Sequence, residues 1–208
     1  MLFRSYLIVV VLSLAAGPGL DCEESIYRTM QKEEPIPVVF GCDADYPPLS
    51  YSEQGGRTGF DLGLIKEIGK RTPIEPSIVM KEWPKVLDGL KNGSIDAISG
   101  VIQTSDREAL FNFTIPYVLD YYSIFARTAS NIRTVEDIED KRLAILREDA
   151  IIESFVVPQG LQDNITKTNS FYEAFKKVEA GDADYTIAPY SLGKNVIKSL
   201  HLNGIEEA

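Results

Sequence analysis

The stretch best suited to binding chemistry runs from Asp96 to Tyr117 and centres on one arginine. A short apolar segment, Ala97-Ile98, leads to Gly100, and a polar run then reaches Arg107. Glycine allows close approach of a backbone, and free N–H groups near a turn attract anions. The guanidinium is a planar fork that matches a carboxylate. This order predicts a strand, a turn and a cation facing a cleft, although a solvated surface arginine would have the same local composition.

Bulk composition excludes several classes of partner. The 208 residues carry a net charge of −10, which disfavours nucleic acid and anionic membranes because both attract basic surfaces. The single histidine, His201, and two cysteines are too few ligands for a metal cluster, and no cofactor is expected. No nucleophile–base set for acyl transfer is visible, so the sequence favours binding over catalysis.

The first twenty residues have the features of a signal peptide, which we place at residues 1–20. Arg4 supplies a positive start, and the apolar run Tyr6–Ala16 is short for a membrane span. We therefore expect export to the periplasm or another extracytoplasmic space. A lipidated Cys22 is an alternative, although Asp21 is not the small residue that usually precedes one, and an uncleaved anchor is another.

The rest of the chain alternates short apolar strands with helices, which predicts an α/β fold. The predicted strands are 38–40, 78–80, 97–98, 143–146 and 185–188, and the predicted helices are 59–70, 85–91, 135–140, a segment from 150, and 170–180. Asp43 and Tyr46 follow the first strand, at the edge where open α/β sheets bind ligands, so both are site candidates. Packing within its own loop is the alternative for Tyr46.

These motifs occur in an order that resembles the family 3 extracytoplasmic solute-binding proteins. Gly-x-x-x-Thr-x-x-Arg from Gly100 to Arg107, followed by Asn-Phe-Thr-x-Pro-Tyr ending at Tyr117, is close to the family signature. Further matching segments are Asp43–Tyr51, Gly59–Leu62, Tyr122–Arg127, Val135–Lys141 and Ala180–Asp184. Several motifs in order are more specific than any one alone.

The resemblance implies a two-lobed periplasmic-binding-protein-like fold of type II. Its expected parts are a first lobe over 35–118, a hinge crossover over 119–122 and a second lobe over 123–208. Family members return after the second lobe to complete the first, whereas His201–Ala208 stops before such a return. The first lobe is therefore expected to be incomplete at its C-terminus. Apolar surface left uncovered there would favour self-association or a partner.

The resemblance also implies a ligand site between the lobes. The expected ligand-binding residues are Asp43, Tyr46, Trp83, Gly100, Ile102, Arg107, Arg147 and Asp149. Trp83 would face Tyr46 across the ligand, although packing alone also suits a tryptophan. The loop from Arg147 to Asp149 would present backbone N–H groups to a carboxylate. Asp149 is also well placed as a helix N-cap.

Two departures from the family pattern concern the ligand. Ile102 stands where a small hydroxyl is usual, so one hydrogen bond to a carboxylate is missing. Pro189 stands where an acid usually holds an α-ammonium group, and a buried ammonium without that partner would be costly. The expected ligand is a small polar carboxylate, amino-acid-like or an organic acid, for which an α-amino group is not required.

The function that the resemblance implies is capture of such a ligand for uptake through an ABC transporter permease. The first alternative is a ligand-sensing domain on a membrane sensor protein, because Ile124–Arg127 and Pro189–Gly193 resemble segments of such domains. The second alternative is an enzyme similar to cyclohexadienyl dehydratase. It would use Asp43, Glu148 or Asp149 as an acid or base.

Overall fold

The computed structural model describes residues 34–53 and 55–208. Residues Pro35–Ala208 form one compact unit. The predicted signal peptide at residues 1–20 and Cys22 lie outside the described residues. No helix in the described part of the chain is both long and apolar enough to cross a bilayer.

The elements alternate along the chain as the sequence predicts. The strands are β1 Ile36–Asp43, β2 Asp45–Tyr46, β3 Ser50–Glu53, β4 Gly56–Thr58, β5 Ile74–Lys81, β6 Ala97–Ile98, β7 Tyr122–Arg127, β8 Leu143–Leu146, β9 Ile165–Thr168, β10 Tyr185–Pro189 and β11 Ile205–Glu207. The α-helices are α1 Phe60–Arg71, α2 Trp83–Asn92, α3 Ser105–Glu108, α4 Phe171–Ala180 and α5 Tyr190–Ser199.

The first sheet has the strand order β5-β1-β6, and β1 pairs in parallel with both neighbours. Parallel neighbours need crossover connections, which α1 and α2 provide. Leu62 and Ile65 of α1 pack with Cys42 of β1, whereas Val86 of α2 packs with Ile95. A separate antiparallel meander has the order β2-β3-β4, and β3 pairs with β4 on either side of Gly55.

The second sheet has the order β11-β7-β10-β8-β9. β10 pairs in parallel with β8 and antiparallel with β7, and β11 is antiparallel to β7. Every residue of β8 and β10 is buried, because side chains pack on both faces of this sheet. The continuous apolar runs Leu143–Leu146 and Tyr185–Ala188 are the sequence signal of such strands.

Two helix ends show why the sequence predicts boundaries well. α2 ends at Gly93, which adopts the left-handed conformation at φ 79° and donates its N–H to Leu90 O. α4 begins after Ser170, whose hydroxyl accepts a hydrogen bond from the Glu173 N–H. The predicted helix at 135–140 is instead a single 3-10 turn, Val135–Ile138, and the segment after Ala150 becomes a π-helix at Ile152–Val156.

Residues 112–121 connect the residues of the first sheet to those of the second without forming a helix or strand. Ile115 and Leu119 in this connection are 86% and 93% exposed. The first and second sheets use residues 36–98 and 122–207, and the lobe limits predicted from sequence stay a prediction. Self-association also stays a prediction.

Candidate functional site

A cavity of about 30 Å3 lies between residues of the first and second sheets. It is lined by Asp43, Tyr46, Trp83, Ser99, Gly100, Ile102, Arg107, Tyr122, Leu146, Asp149, Ala150, Phe171 and Pro189. The volume is enough for roughly two water molecules. A larger ligand therefore requires the walls to separate.

The ends of strands place most of these side chains. β1 ends at Asp43, β8 at Leu146 and β10 at Pro189, and each of these residues lines the cavity. Trp83 and Phe171 lie at the first positions of α2 and α4, each directly after a strand or its short loop. The carboxyl ends of strands in α/β sheets are the usual location of ligand sites.

Seven of the eight residues expected from sequence line this cavity, and Arg147 does not. Arg147 is exposed, and its backbone N–H donates to Thr168 O at 2.9 Å. This bond continues the pairing of β8 with β9, so Arg147 lengthens β8 by one residue on the side of β9. Its position gives no support to a role in ligand contact.

Arg107 is 7% exposed, so its guanidinium is not a solvated surface charge. Its Nη1 donates to Ile102 O at 3.1 Å and its Nη2 donates to Glu148 O at 2.7 Å. The guanidinium also lies 5.7 Å from the ring centroid of Trp83, within cation–π range. Arg107 therefore connects the two sides of the cavity through a main-chain carbonyl.

Glu148 was not expected among the ligand-binding residues, although its main chain contacts two of them. Its carbonyl accepts hydrogen bonds from Arg107 Nη2 at 2.7 Å and from Trp83 Nε1 at 3.1 Å. The residue has a φ of 62°, which non-glycine residues rarely adopt. The only signal in the sequence is that two acids, Glu148 and Asp149, occupy the loop that is expected to present backbone N–H groups to a carboxylate.

The Gly100 N–H, expected to attract an anion, already has a protein acceptor. It donates to Tyr117 Oη at 2.9 Å, and that hydroxyl donates to Asp61 Oδ1 at 3.1 Å. Gly100 has a φ of 68°, and a Cβ there would lie 3.2 Å from Asp61 Oδ2 and 3.3 Å from Tyr46. Both the backbone conformation and the close packing thus favour glycine at this position.

Two carboxylates line the cavity in spite of Pro189. Asp43 is 7% exposed, its Oδ1 accepts from the Asp45 N–H at 3.0 Å, and burial raises its pKa to about 7. Asp149 is 6% exposed, and its Oδ1 accepts from the Ile151 N–H at 3.0 Å and from the Tyr122 hydroxyl. Burial also raises the pKa of Asp149. The bond to Ile151 is the capping contact that the sequence predicts, in a residue that also lines the cavity.

Aromatic rings form much of the remaining wall. Tyr46 stacks on Phe171 with ring centroids 6.1 Å apart, whereas Trp83 lies beneath Arg107. Tyr46 and Trp83, which are expected to face each other across a ligand, both line the cavity, and Tyr46 also contacts Phe171. Phe171 and Tyr122 were not predicted, and only their positions at a helix start and a strand start could have indicated them.

The model of bacterial extracellular solute-binding proteins, family 3, matches residues 38–186. The chain belongs to this family. The match runs from within β1 to the start of β10 and includes all residues that line the cavity except Pro189.

Relatives in this family bind amino acids according to their names. The amino-acid-binding protein AabA of Dichelobacter nodosus is 27% identical over 185 residues, covering 84% of this chain and 67% of the relative. The arginine-binding extracellular protein ArtP of Bacillus subtilis is 26% identical over 109 residues, covering 52% of this chain and 43% of the relative. The chain thus spans about two thirds of the first relative and less than half of the second.

A solved structure with the same family fold is a histidine kinase sensor domain with similarity to periplasmic binding proteins. It superimposes with a TM-score of 0.77 at 25% identity, covering 82% of this chain and 75% of that chain. The two-lobed α/β fold predicted from the family 3 motifs is confirmed by this similarity and by the two α/β sheets.

Proposed function

We propose that this family 3 protein acts outside the cytoplasm and captures a small amino-acid-like or organic-acid ligand between its lobes. The observation that carries the proposal is the buried Arg107, whose Nη2 has a neutral carbonyl from the opposite wall as its one hydrogen-bond acceptor among the described residues. A carboxylate forms stronger, charge-assisted and bidentate bonds with a guanidinium. A ligand carboxylate can therefore displace Glu148 O and take its place.

The physical consequence is that ligand binding and the contact between the walls share the same donors. Trp83 Nε1 and Arg107 Nη2 both release Glu148 O when a carboxylate binds. The names of the relatives, amino-acid-binding and arginine-binding proteins, support a role in capture rather than catalysis. Delivery to an ABC transporter permease is the first destination that we propose for the ligand.

A sensing role is the second candidate, and the similarity to a histidine kinase sensor domain favours it. Uptake measurements separate the two roles. If deletion of the gene abolishes uptake of the radiolabelled ligand, the protein serves transport. If uptake is unchanged while a transcriptional response to the ligand is lost, the protein serves a membrane sensor.

Capture itself is tested by a melting-temperature screen with the common amino acids, small mono- and dicarboxylates, and aromatic acids. A ligand at a hundred times its dissociation constant stabilises the fold by about 2.7 kcal/mol, or roughly 5–10 °C for a chain of this size. Trp83 is the only tryptophan, so its fluorescence reports the cavity directly. A hit that raises the melting temperature without changing Trp83 emission would place binding elsewhere and contradict the proposal.

A further inference from the structure

We infer that the ligand carries a positive charge and that Asp149 is the residue that binds it. This assignment rests on the proposed function, because it concerns the cavity that holds Arg107. It replaces the expectation that an α-amino group is not required, which followed from the uncharged Pro189 at the position of the usual acid.

The donors expected to hold an anion are already engaged by the protein. Arg107 donates to two main-chain carbonyls, Trp83 Nε1 donates to Glu148 O, and the Gly100 N–H donates to Tyr117 Oη. A ligand carboxylate can displace Glu148 O, but it gains little from Gly100. An anion alone therefore finds one exchangeable position in this cavity.

The carboxylate acceptors of the cavity, in contrast to these donors, are not fully engaged by the protein. Asp43 and Asp149 are both more than nine-tenths buried, and neither forms an ion pair with a lysine or arginine among the residues that the structure describes. Two donors bind Asp149 Oδ1, whereas no protein donor to Oδ2 is found in the same described part. An ionised carboxylate that is buried without a partner is costly, so a cation bound beside it in this cavity is favourable.

Asp149 is better oriented for this role than Asp43. The Tyr122 hydroxyl and the Ile151 N–H bind the same oxygen and so fix the direction of the carboxylate. Tyr122 is paired with Pro189 across β7 and β10, which brings Asp149 to the end of the strand where Pro189 provides no charge. Asp149, from the loop after β8, thus supplies an acid near Pro189, where the sequence alone indicated that an acid was missing.

The aromatic wall also suits a positive group. Tyr46 and Phe171 stack and both line the cavity with Asp149, and the faces of aromatic rings attract cations. Together with Arg107, this arrangement fits a molecule with a carboxylate at one end and an ammonium or guanidinium group at the other. Acids without a positive charge lack the second interaction.

The test measures melting temperature and Trp83 emission with each common L-amino acid, its deaminated acid and its decarboxylated amine. The wild type is compared with Asp149→Asn, which keeps an acceptor for Ile151 and Tyr122 but removes the charge. Asp163→Asn, an exposed acid outside the cavity, is the matched control. We expect binding only by probes with a positive charge. Asp149→Asn should weaken the best probe at least tenfold, and Asp163→Asn should leave it unchanged.

A second variant keeps the test decisive if Asp149→Asn lowers the yield of folded protein. Tyr122→Phe retains the carboxylate and removes one of the donors that orient it, so a several-fold loss for positively charged probes is expected. If deaminated acids, which lack a positive charge, bind as well as their amino acids and lose binding in Arg107→Ala, this inference fails and the proposed function survives. If no probe binds the wild type, both fail. Equal binding by wild type and Asp149→Asn would also overturn the inference.

Discussion

The aspartates of the cavity and the aspartate that precedes β10 occupy opposite electrostatic environments. Asp184 lies 2.8 Å from Arg142 and 3.6 Å from Arg127, and the hydrogen bonds from Arg142 lower its pKa to about 2. Asp43 and Asp149 form no such ion pair in the described part of the chain, and burial raises the pKa of both, although the nearby charge of Arg107 partly opposes this for Asp149. Direct ion pairs therefore stabilise the charge of Asp184 but not those of the two cavity acids. This difference separates an acid that stabilises the fold from acids available to a ligand.

The largest expected effect tests the cationic side of the cavity. Arg107→Ala should weaken ligand binding by about 2–5 kcal/mol, which is roughly thirty- to several-thousand-fold, because a buried charge-assisted pair is lost. Arg107→Lys should recover little of this, since lysine keeps the charge and loses the planar fork. Isothermal titration calorimetry with the best ligand of the screen measures both.

Arg147→Ala is the matched control, because Arg147 is exposed and lies outside the cavity although it is close in sequence to Asp149. Its affinity should equal that of the wild type. A loss at Arg147 and none at Arg107 would reverse our assignment of the carboxylate-binding residue.

The second expected effect concerns pH and the stability of the fold. The pKa of Asp43 is about 7 in the folded state and near its ordinary 3.8 when unfolded, so between these values the folded state binds more protons. Stability should therefore fall as pH rises from about 4 to 7, by on the order of 3 kcal/mol. Urea unfolding across this range measures the change.

Asp43→Asn should remove the part of this pH dependence that comes from Asp43, because an amide does not ionise. The exposed acid Asp163 serves again as the control, and Asp163→Asn should leave the slope unchanged. A slope that persists in Asp43→Asn would assign the protonation to another buried acid, such as Asp149.

The sequence predicted the parts of the molecule that depend on local patterns. The buried strands β8 and β10 appear as apolar runs, the end of α2 appears as Asn92-Gly93, and Arg107 appears within a motif of fixed spacing. These features need only neighbouring residues. Seven of the eight residues expected at the site line one cavity for the same reason, since strand ends converge at one edge of each sheet.

What the sequence could not predict depends on backbone conformation or on contacts between distant residues. The positive φ of Glu148 turns its carbonyl toward Arg107, which lies 41 positions away in the chain. The bond between Tyr122 and Asp149 likewise joins residues of different elements. Neither contact can be recognised from neighbouring residues in the sequence. The sequence showed only that Pro189 has no charge, which suggested that the cavity has no acid to bind an ammonium group.

A third buried acid provides an intermediate case for the comparison. Asp61 is fully buried and its pKa is raised by burial, but Tyr117 donates to its Oδ1 at 3.1 Å. Tyr117→Phe removes this donor and also the acceptor of the Gly100 N–H. The cost should be about 1–3 kcal/mol of unfolding free energy, because buried polar groups lose their partners.

Denaturant unfolding measures this loss, and Tyr51→Phe, a tyrosine outside the cavity with no hydroxyl hydrogen bond in the described structure, is the control. Asp61→Asn should be milder than Tyr117→Phe, because the amide oxygen still accepts from the hydroxyl. Equal stability of Tyr117→Phe and the wild type would mean that water replaces the hydroxyl at both positions.

The smallest expected effect tests Asp184, the acid that forms ion pairs with arginines of the chain itself. Asp184→Asn removes the charge that pairs with Arg142 and Arg127, and these arginines are 52% and 31% exposed. Solvent weakens ion pairs of this kind, so the loss should be about 0.5–1 kcal/mol. Because the pKa of Asp184 is lowered to about 2, its contribution is present above pH 4 and is lost as pH falls from about 4 to 2. The pH dependence of Asp184 thus has the opposite sign to that of Asp43. Lowering the pH destabilises the fold through Asp184, whereas it stabilises the fold through Asp43, because protonation there neutralises a buried charge.

Urea unfolding of Asp184→Asn should show a clear difference in stability from the wild type at pH 7 and a smaller difference at pH 3. Ligand affinity should be the same in both proteins, because Asp184 does not line the cavity. If Asp184→Asn changes affinity as strongly as Asp149→Asn, the division between structural and ligand-binding acids is wrong.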